Sequence, residues 1–393
     1  MTAASLEGAN SMMHAFPPPP EGQVTLANWR TAPFSHWGFS HVRELIPSAE
    51  IKNDPRSVRP LPEAPTALPS LDRIAEPCNA LLVLHRGRIV AERYADGMAA
   101  GTPHILMSVS KSMLGLLAGI LAESGCLDTG APVTEHVPEV SNTAYRRATV
   151  RQLLDMRAGI LFDEDYMAGD GPIVDYRRAT GWNPLEPGEP PSDLRSFLAQ
   201  LAGADGSHGQ RFHYVSPNTD LLAWVIERAA GERYADLMGR LLWAPAGAGW
   251  PAYITVDRLG APRAAGGMCV TARDLARIGQ LIVENGRRDG RQVLPERWID
   301  DIESNGDPEA WEAGEFSSFF PGRRMHYRSQ CYVLRDKNPL IFGIGIHGQN
   351  LYVDRYAEVV MVRLCSRPLP IEPELISRGL EDALAVRDFL AAA

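Results

Sequence analysis

Apolar and polar positions recur along the chain in blocks whose period assigns most of the elements. "ALLVLHRGRIVAERYA" (80–95) is two β-rich runs around an "HRGR" turn, which reads as a hairpin. From Ser108 to about Gly125, Met113, Leu116, Leu117, Ile120 and Leu121 recur at helical spacing, so a buried helix is expected to follow the hairpin. Residues 126–260 carry shorter helical patterns between loops, in "TVRQLLDMRAGI", "PSDLRSFLAQLAG" and "NTDLLAWVIERAAG". The last has a stripe of Leu221, Leu222, Val225 and Ile226. "TARDLARIGQLIVENG" (271–286) opens on a Thr cap with Asp274 three residues on, and Leu275, Ile278, Leu281 and Ile282 face inward. "GIGIHGQNLYVD" and "EVVMVRLCS" (358–366) read as paired strands, and "PELISRGLEDALAVRDFL" as a closing helix.

Strands near both ends with helices between them predict an α+β fold: an antiparallel sheet flanked by helices, assembled from both ends of the chain. The expected division is an α/β domain from 76–125 and 255–393, with a helical subdomain inserted at 126–254. Residues 1–75 are rich in proline yet hold Trp29, Phe34, Trp37 and Phe39. Proline forbids long regular elements and exposed aromatics are costly, so this segment is expected to lie as an extended arm on the body.

Composition narrows the function classes. A formal charge of −9, with no basic run, gives no electrostatic basis for nucleic acid. No apolar stretch is long enough to cross a bilayer and the start lacks a signal-peptide pattern, so the expectation is a cytoplasmic protein without a membrane partner. The five cysteines are scattered without a C-x-x-C pair and read as reduced core residues, and neither a metal nor another cofactor is expected.

One residue type is anomalous. Of 39 basic residues only Lys52, Lys111 and Lys337 are lysines, and Lys111 sits in the apolar run "ILMSVSKSMLG". Arginine stays protonated, whereas a desolvated lysine can become a neutral base. On a helix, residues three apart are neighbours, so Ser108 shares the Lys111 face while Ser110 and Ser112 do not. Ser108 also falls at the helix N-terminus, where free N–H groups favour developing negative charge. A nucleophile and its base fit this spacing; a capping serine and a lysine reaching to solvent fit it as well.

Two further clusters carry chemistry. "RFHYVSPNTDLLAW" places Tyr214 and Ser216 in a polar loop before a helix, where a phenol beside a lysine can pass a proton to a leaving group or merely pack at the helix entrance. "GIGIHGQN" (343–350) sets three glycines around His347 in a strand pattern, as a bulge or as a site of close backbone approach. In the second case the N–H groups of Ser108 and Ile346 would form an oxyanion hole. His347 either orients substrate or is a satisfied core histidine.

The Ser-Val-Ser-Lys of 108–111, the tyrosine loop of Tyr214 and Ser216, and the late Gly-rich strand with His347 and Gly348 resemble the three ordered motifs of the serine β-lactamases and penicillin-binding proteins. Within that superfamily the phrasing is most similar to the 6-aminohexanoate-dimer hydrolases, through "LMSVSKS", "DEDY" with Tyr166, "GW" with Trp182, "NTDLLAWVIER", "TARDLARIG" and "GIGIHGQNLYVD". The resemblance implies a β-lactamase/transpeptidase-like fold and an acyl-enzyme on Ser108, with Lys111 and Tyr214 sharing proton transfer. It implies a small ester or amide substrate contacted by Tyr166 and Trp182 from a loop over the site, and by Ser216, His347 and Gly348. A homodimer is the assembly kept in view.

Two departures limit the transfer. The late strand has no lysine to meet a β-lactam carboxylate, which argues against β-lactam hydrolysis as the main activity. Ala265 stands where the nylon-oligomer branch has an asparagine, which removes a polar substrate contact. A non-catalytic acyl-binding sensor of the same fold is the reading from another class.

Overall fold

The computed structural model describes residues 12–76 and 78–392, so the first eleven residues of the expected arm lie outside the described part. Its strands, in chain order, are β1 (Ser48–Ile51), β2 (Cys78–His85), β3 (Arg88–Tyr94), β4 (His104–Ile105), β5 (Ala252–Thr255) and β6 (Met268–Val270). They continue with β7 (Arg287–Arg288), β8 (Arg291–Gln292), β9 (Met325–Arg328), β10 (Cys331–Leu334), β11 (Leu340–Gly345), β12 (Gln349–Asp354) and β13 (Val359–Cys365). The longer helices are α1 (Val109–Glu123), α2 (Pro172–Ala179), α3 (Ser216–Ala230), α4 (Ala272–Val283), α5 (Glu296–Ser304) and α6 (Pro373–Ala391).

The main sheet has the order β3-β2-β13-β12-β11-β10-β9. Every neighbouring pair in it is antiparallel, and the two ends of the chain meet where β2 pairs with β13. The expected hairpin is β2–β3, turned by Arg86 and Gly87, both at positive φ (50° and 73°) as the right-handed twist of paired strands demands. Successive side chains of these strands serve opposite faces. Leu82, Leu84, Val360, Val362, Leu351 and Val353 join the core under α1 and α4. Leu81, Val83, Met361 and Tyr352 join a second core with Leu380 and Leu384 of α6. Both faces are therefore apolar and covered, which is why β2 and β13 read as continuous rather than alternating runs.

α1 and α4 occupy the predicted segments, and the Thr271 hydroxyl caps α4 by accepting from the Asp274 N–H at 3.1 Å. The pattern in 149–160 contracts to the five-residue helix Val150–Leu154, held by a Thr149/Gln152 capping box and ended by Asp155, whose carboxylate accepts from the Ser329 N–H.

One expectation is corrected and one is extended. The 343–354 stretch is not one strand: β11 ends at Gly345, and Ile346, His347 (φ 61°) and Gly348 (φ 95°) reverse the chain into β12. Glycines placed for a bulge and for a reversal look alike in sequence. The arm, for its part, is more than an extended strap. Its β1 forms the edge of a second sheet, β1-β5-β6-β4, and Trp29 and Phe39 are fully inside. Trp37 and Phe34 are only half-buried.

Candidate active site

Ser108 occupies the N-cap position of α1 without using its hydroxyl as a cap. Met107 before it is held at φ 46°, a left-handed conformation that costs a non-glycine residue energy and turns the Ser108 side chain out of the strand direction of β4. Lys111, one turn later, is 1% exposed, so the alternative in which it reaches solvent is excluded. Ser110 and Ser112 are structural: the Ser110 Oγ accepts from the Met268 N–H, and the Ser112 hydroxyl donates to the Gln330 carbonyl.

The Lys111 Nζ lies 2.9 Å from the Ser108 Oγ, 3.0 Å from the Ser216 Oγ and 2.8 Å from the Ala265 carbonyl. Burial pushes this ammonium down to about 7; the Glu164 and Asp220 carboxylates oppose the shift and Arg263 adds to it. The carbonyl can only accept. The Ser216 hydroxyl spends its proton on Glu164 at 2.5 Å, so it too accepts from the lysine. A neutral amine has two N–H groups, which these acceptors use, and its lone pair is left facing the Ser108 hydroxyl.

Tyr214 closes the other side. Its ring stacks on Phe316 at 4.8 Å between centroids, and the Lys111 Nζ lies 4.8 Å from its own centroid. Its phenol faces the same cavity as Ser108, and burial, then Glu164, raises it well above the ordinary tyrosine value. It is therefore an acid at neutral pH.

Glu164 lies in "DEDY" (163–166), where no sequence pattern assigns it a part. It accepts from the Ser216 N–H at 2.6 Å and from the Tyr166 hydroxyl at 2.5 Å, in addition to the Ser216 hydroxyl. This places a carboxylate at the N-terminus of α3, where helix-end N–H groups favour it. Asp220, one turn into α3, accepts from the Ala265 N–H at 2.8 Å, from Tyr176 at 2.5 Å and from Arg263. The i, i+4 spacing of Ser216 and Asp220 is the one sequence signal that put them on the same face.

The remaining expected site residues divide. Ser108, Tyr166, Tyr214 and Ile346 line one cavity with Phe316 and Ile376. Gly345 lets β11 reach the nucleophile, since a Cβ there would stand 2.6 Å from the Leu106 carbonyl oxygen. Ala265 contributes its carbonyl to Lys111 and its N–H to Asp220, both from the main chain.

Three residues are not in the lining of that cavity. Trp182 lies in the loop after α2 but is 3% exposed: it donates from Nε1 to the Thr255 Oγ at 3.0 Å and meets Trp29 edge-on at 5.2 Å. His347 takes the core alternative, its Nδ1 2.7 Å from the Arg367 carbonyl and its ring edge-on to Phe39; burial pushes it down to about 4, so it is neutral. Gly348 belongs to the chain reversal, against the Arg367 side chain.

Comparison with known proteins shows what the chain is similar to. A family model described as Beta-lactamase matches residues 69–385. The 6-aminohexanoate-dimer hydrolase of Paenarthrobacter ureafaciens is 39% identical over 362 residues, 90% of this chain and 91% of that protein. A Bacillus anthracis protein provisionally named a 6-aminohexanoate-dimer hydrolase superposes with a TM-score of 0.85 at 25% identity, over 95% of this chain and 98% of that one. A D-stereospecific amidohydrolase from Streptomyces shares the fold, with a TM-score of 0.59 at 17% identity over 80% of this chain and 96% of its own. The chain belongs to the Beta-lactamase family of hydrolases and is similar along nearly its whole length to a 6-aminohexanoate-dimer hydrolase.

Proposed function

We propose that the protein is a serine hydrolase that cleaves small linear amides or carboxylic esters through an acyl-enzyme on Ser108, in the manner of a 6-aminohexanoate-dimer hydrolase with esterase activity. The observation that carries this reading is the buried Lys111 amine, 2.9 Å from the Ser108 Oγ with its other donors engaged. Neutral Lys111 takes the Ser108 proton as the oxygen attacks the acyl carbon. The N–H groups of Ser108 and Ile346, two residues that share the cavity, are assigned to the oxyanion. Tyr214 gives its phenolic proton to the departing nitrogen or oxygen, and the Lys111 ammonium returns one to the phenolate. Water then attacks the acyl carbon in the reverse order of proton transfers and frees Ser108.

Glu164 and Ser216 support this chemistry by fixing the lysine. Tyr166, whose hydroxyl is tied to Glu164, walls the cavity. Phe316, Phe319, Ile344, Ile371 and Ile376 make the rest of that wall apolar, which fits an uncharged leaving group on the Tyr214 side.

The test is turnover of p-nitrophenyl acetate with mass spectrometry of the acid-quenched intact protein, for wild type and Ser108→Ala. Turnover with an acyl adduct in wild type alone is the expected result. An adduct without turnover would make the protein an acyl-binding sensor, and equal activity in Ser108→Ala would place the nucleophile elsewhere.

A further inference from the structure

The core between the main sheet and α6 holds two thiols that the acyl-transfer steps do not use. Cys78 opens β2, Cys365 closes β13, and the two are paired residues where the register of those strands shifts. Opposed residues of antiparallel strands have Cα atoms about 4.5–5.5 Å apart, within the range of about 4.4–6.8 Å that a disulfide spans. Both side chains already point at each other: the thiols are free and their sulfurs lie 3.2 Å apart. A disulfide is about 2.05 Å long, so closing the bond asks the sulfurs to approach by about 1.2 Å.

The surroundings give the two thiols different parts. Arg363, two residues before Cys365, is 2% exposed, with its Nε and Nη1 buried without a hydrogen-bond partner and the Asp382 carboxylate 3.8 Å from Nη1. The Nε of Arg367 is buried without a partner as well. The hydrogen bond from Cys365, then Arg363 and Arg367, holds the Cys78 thiol below its ordinary value against the effect of burial, while the same bond and burial push Cys365 up. Cys78 is therefore the thiolate and Cys365 the partner that keeps its proton. Cys78 is also the more accessible, at 7% exposed against 0%.

The pair is tied to the end of β11 through Gln349. That buried side chain accepts from the Cys365 N–H at 2.9 Å, and donates to the Cys365 carbonyl at 2.7 Å and to the Ile346 carbonyl at 3.2 Å. The reversal between them has no slack, since a Cβ on Gly348 would stand 3.0 Å from the Cys365 Cβ. A shift of Cys365 is thereby passed to Ile346, whose N–H is assigned to the oxyanion.

We infer that Cys78 and Cys365 form a peroxide-responsive dithiol site whose closure to a disulfide lowers the activity of the Ser108 site. The Cys78 thiolate attacks hydrogen peroxide, forming an S–O bond as the O–O bond breaks, which leaves a sulfenic acid and hydroxide. The Cys365 sulfur then displaces the sulfenic oxygen, which departs as water with the Cys365 proton. Peroxide gains the two electrons that the thiols lose, and a small dithiol reverses the change by exchange. The dithiol site stands without the hydrolase reading; only its effect on turnover rests on that reading.

The reduced full chain, treated with a few equivalents of hydrogen peroxide, denatured in N-ethylmaleimide and mapped by mass spectrometry, tests both parts. Alkylation should fall from the five cysteines of the chain to three, with a cross-linked peptide joining Cys78 and Cys365. The kcat for p-nitrophenyl acetate should fall by about tenfold and return with dithiothreitol, which does not reverse methionine oxidation. Cys78→Ser should turn over like wild type when reduced, and should lose both the cross-link and the reversible fall in kcat. Hydrogen exchange of the peptide spanning 343–350 reads the coupling without turnover, and its protection should change on oxidation in wild type alone. Five alkylated cysteines after peroxide, or a cross-link between other cysteines, would overturn the site. The Cys78–Cys365 cross-link with kcat and exchange both unchanged would overturn its control of Ser108. A chain that turned over no ester would count against the hydrolase reading instead, and the cross-link and the exchange would still decide the dithiol site.

Discussion

Glu164 holds Ser216 twice, from its N–H at 2.6 Å and from its hydroxyl at 2.5 Å, and so fixes the proton direction of a serine that itself receives the Lys111 amine. The carboxylate also favours the ammonium form of Lys111. In wild type, activity should rise with pH through about 7 as the lysine loses its proton. Glu164→Gln removes a group that stabilises the charged form, so the ammonium becomes more acidic and that limb moves to lower pH. It also costs about tenfold in kcat/KM at pH 8, because an amide cannot accept from both Ser216 donors as a carboxylate does. A pH profile of p-nitrophenyl acetate hydrolysis checks both; a limb that stays in place would mean Glu164 acts on geometry alone.

Lys111→Arg keeps the charge and removes the titration. Arginine cannot accept the Ser108 proton, so a loss of about a thousandfold in kcat is expected, with circular dichroism unchanged. Activity within a few fold of wild type would exclude Lys111 as the base.

The same residue makes stability depend on pH. Lys111 is lowered in the folded protein to about 7 from the ordinary 10.5, so between these values the unfolded chain binds one more proton than the native one. Folding stability contributed by this group therefore rises with pH across that window. Compared with Lys111→Met, wild type should gain about 1.4 kcal/mol per pH unit there, measured by urea unfolding at pH 7, 8 and 9. A flat difference would mean the lysine is not desolvated.

Gly345 is the narrowest fit around the nucleophile. A methyl group there meets the Leu106 carbonyl oxygen at 2.6 Å and the Met107 Cβ at 3.0 Å, both backbone-fixed at the turn into Ser108. Gly345→Ala is expected to displace the end of β11 and lower kcat by about tenfold to a hundredfold, with a modest loss of melting temperature. Unchanged kcat would show that this strand end does not position the oxyanion donors.

How much of this was legible follows the range of the contacts. Ser108 and Lys111 were readable because three residues on a helix are neighbours whatever the rest of the chain does. A sheet assembled from both ends of the chain followed from the apolar runs there, and β2 beside β13 is where those ends meet. What escaped were meetings across long separations through stretches without a period: Glu164 with Ser216, 52 residues apart, Asp220 with Arg263, and Cys78 with Cys365, whose sulfurs lie 3.2 Å apart only because β2 and β13 pair. The loop around Trp182 has no repeat to follow, so a side chain expected over the site is found buried against Trp29 and Thr255. His347 shows the same limit at short range, since only the reversal after Gly345 turns it toward Phe39.

Tyr214 separates the two substrate classes. Its phenol is held protonated by burial and by Glu164, and a proton is what a departing amine needs and a p-nitrophenolate does not. Tyr214→Phe removes the acid while keeping the ring stacked on Phe316. Cleavage of a p-nitrophenyl ester should then fall by about tenfold or less, whereas cleavage of the matching alkyl amide should fall by about a hundredfold or more, the difference being the contribution of leaving-group protonation. Parallel kcat/KM measurements on the two substrates read the split directly. Equal losses would show that Tyr214 acts before the leaving group departs, on the attack of Ser108 itself, and would move the terminal proton donor to the Lys111 ammonium, 2.9 Å from the same oxygen.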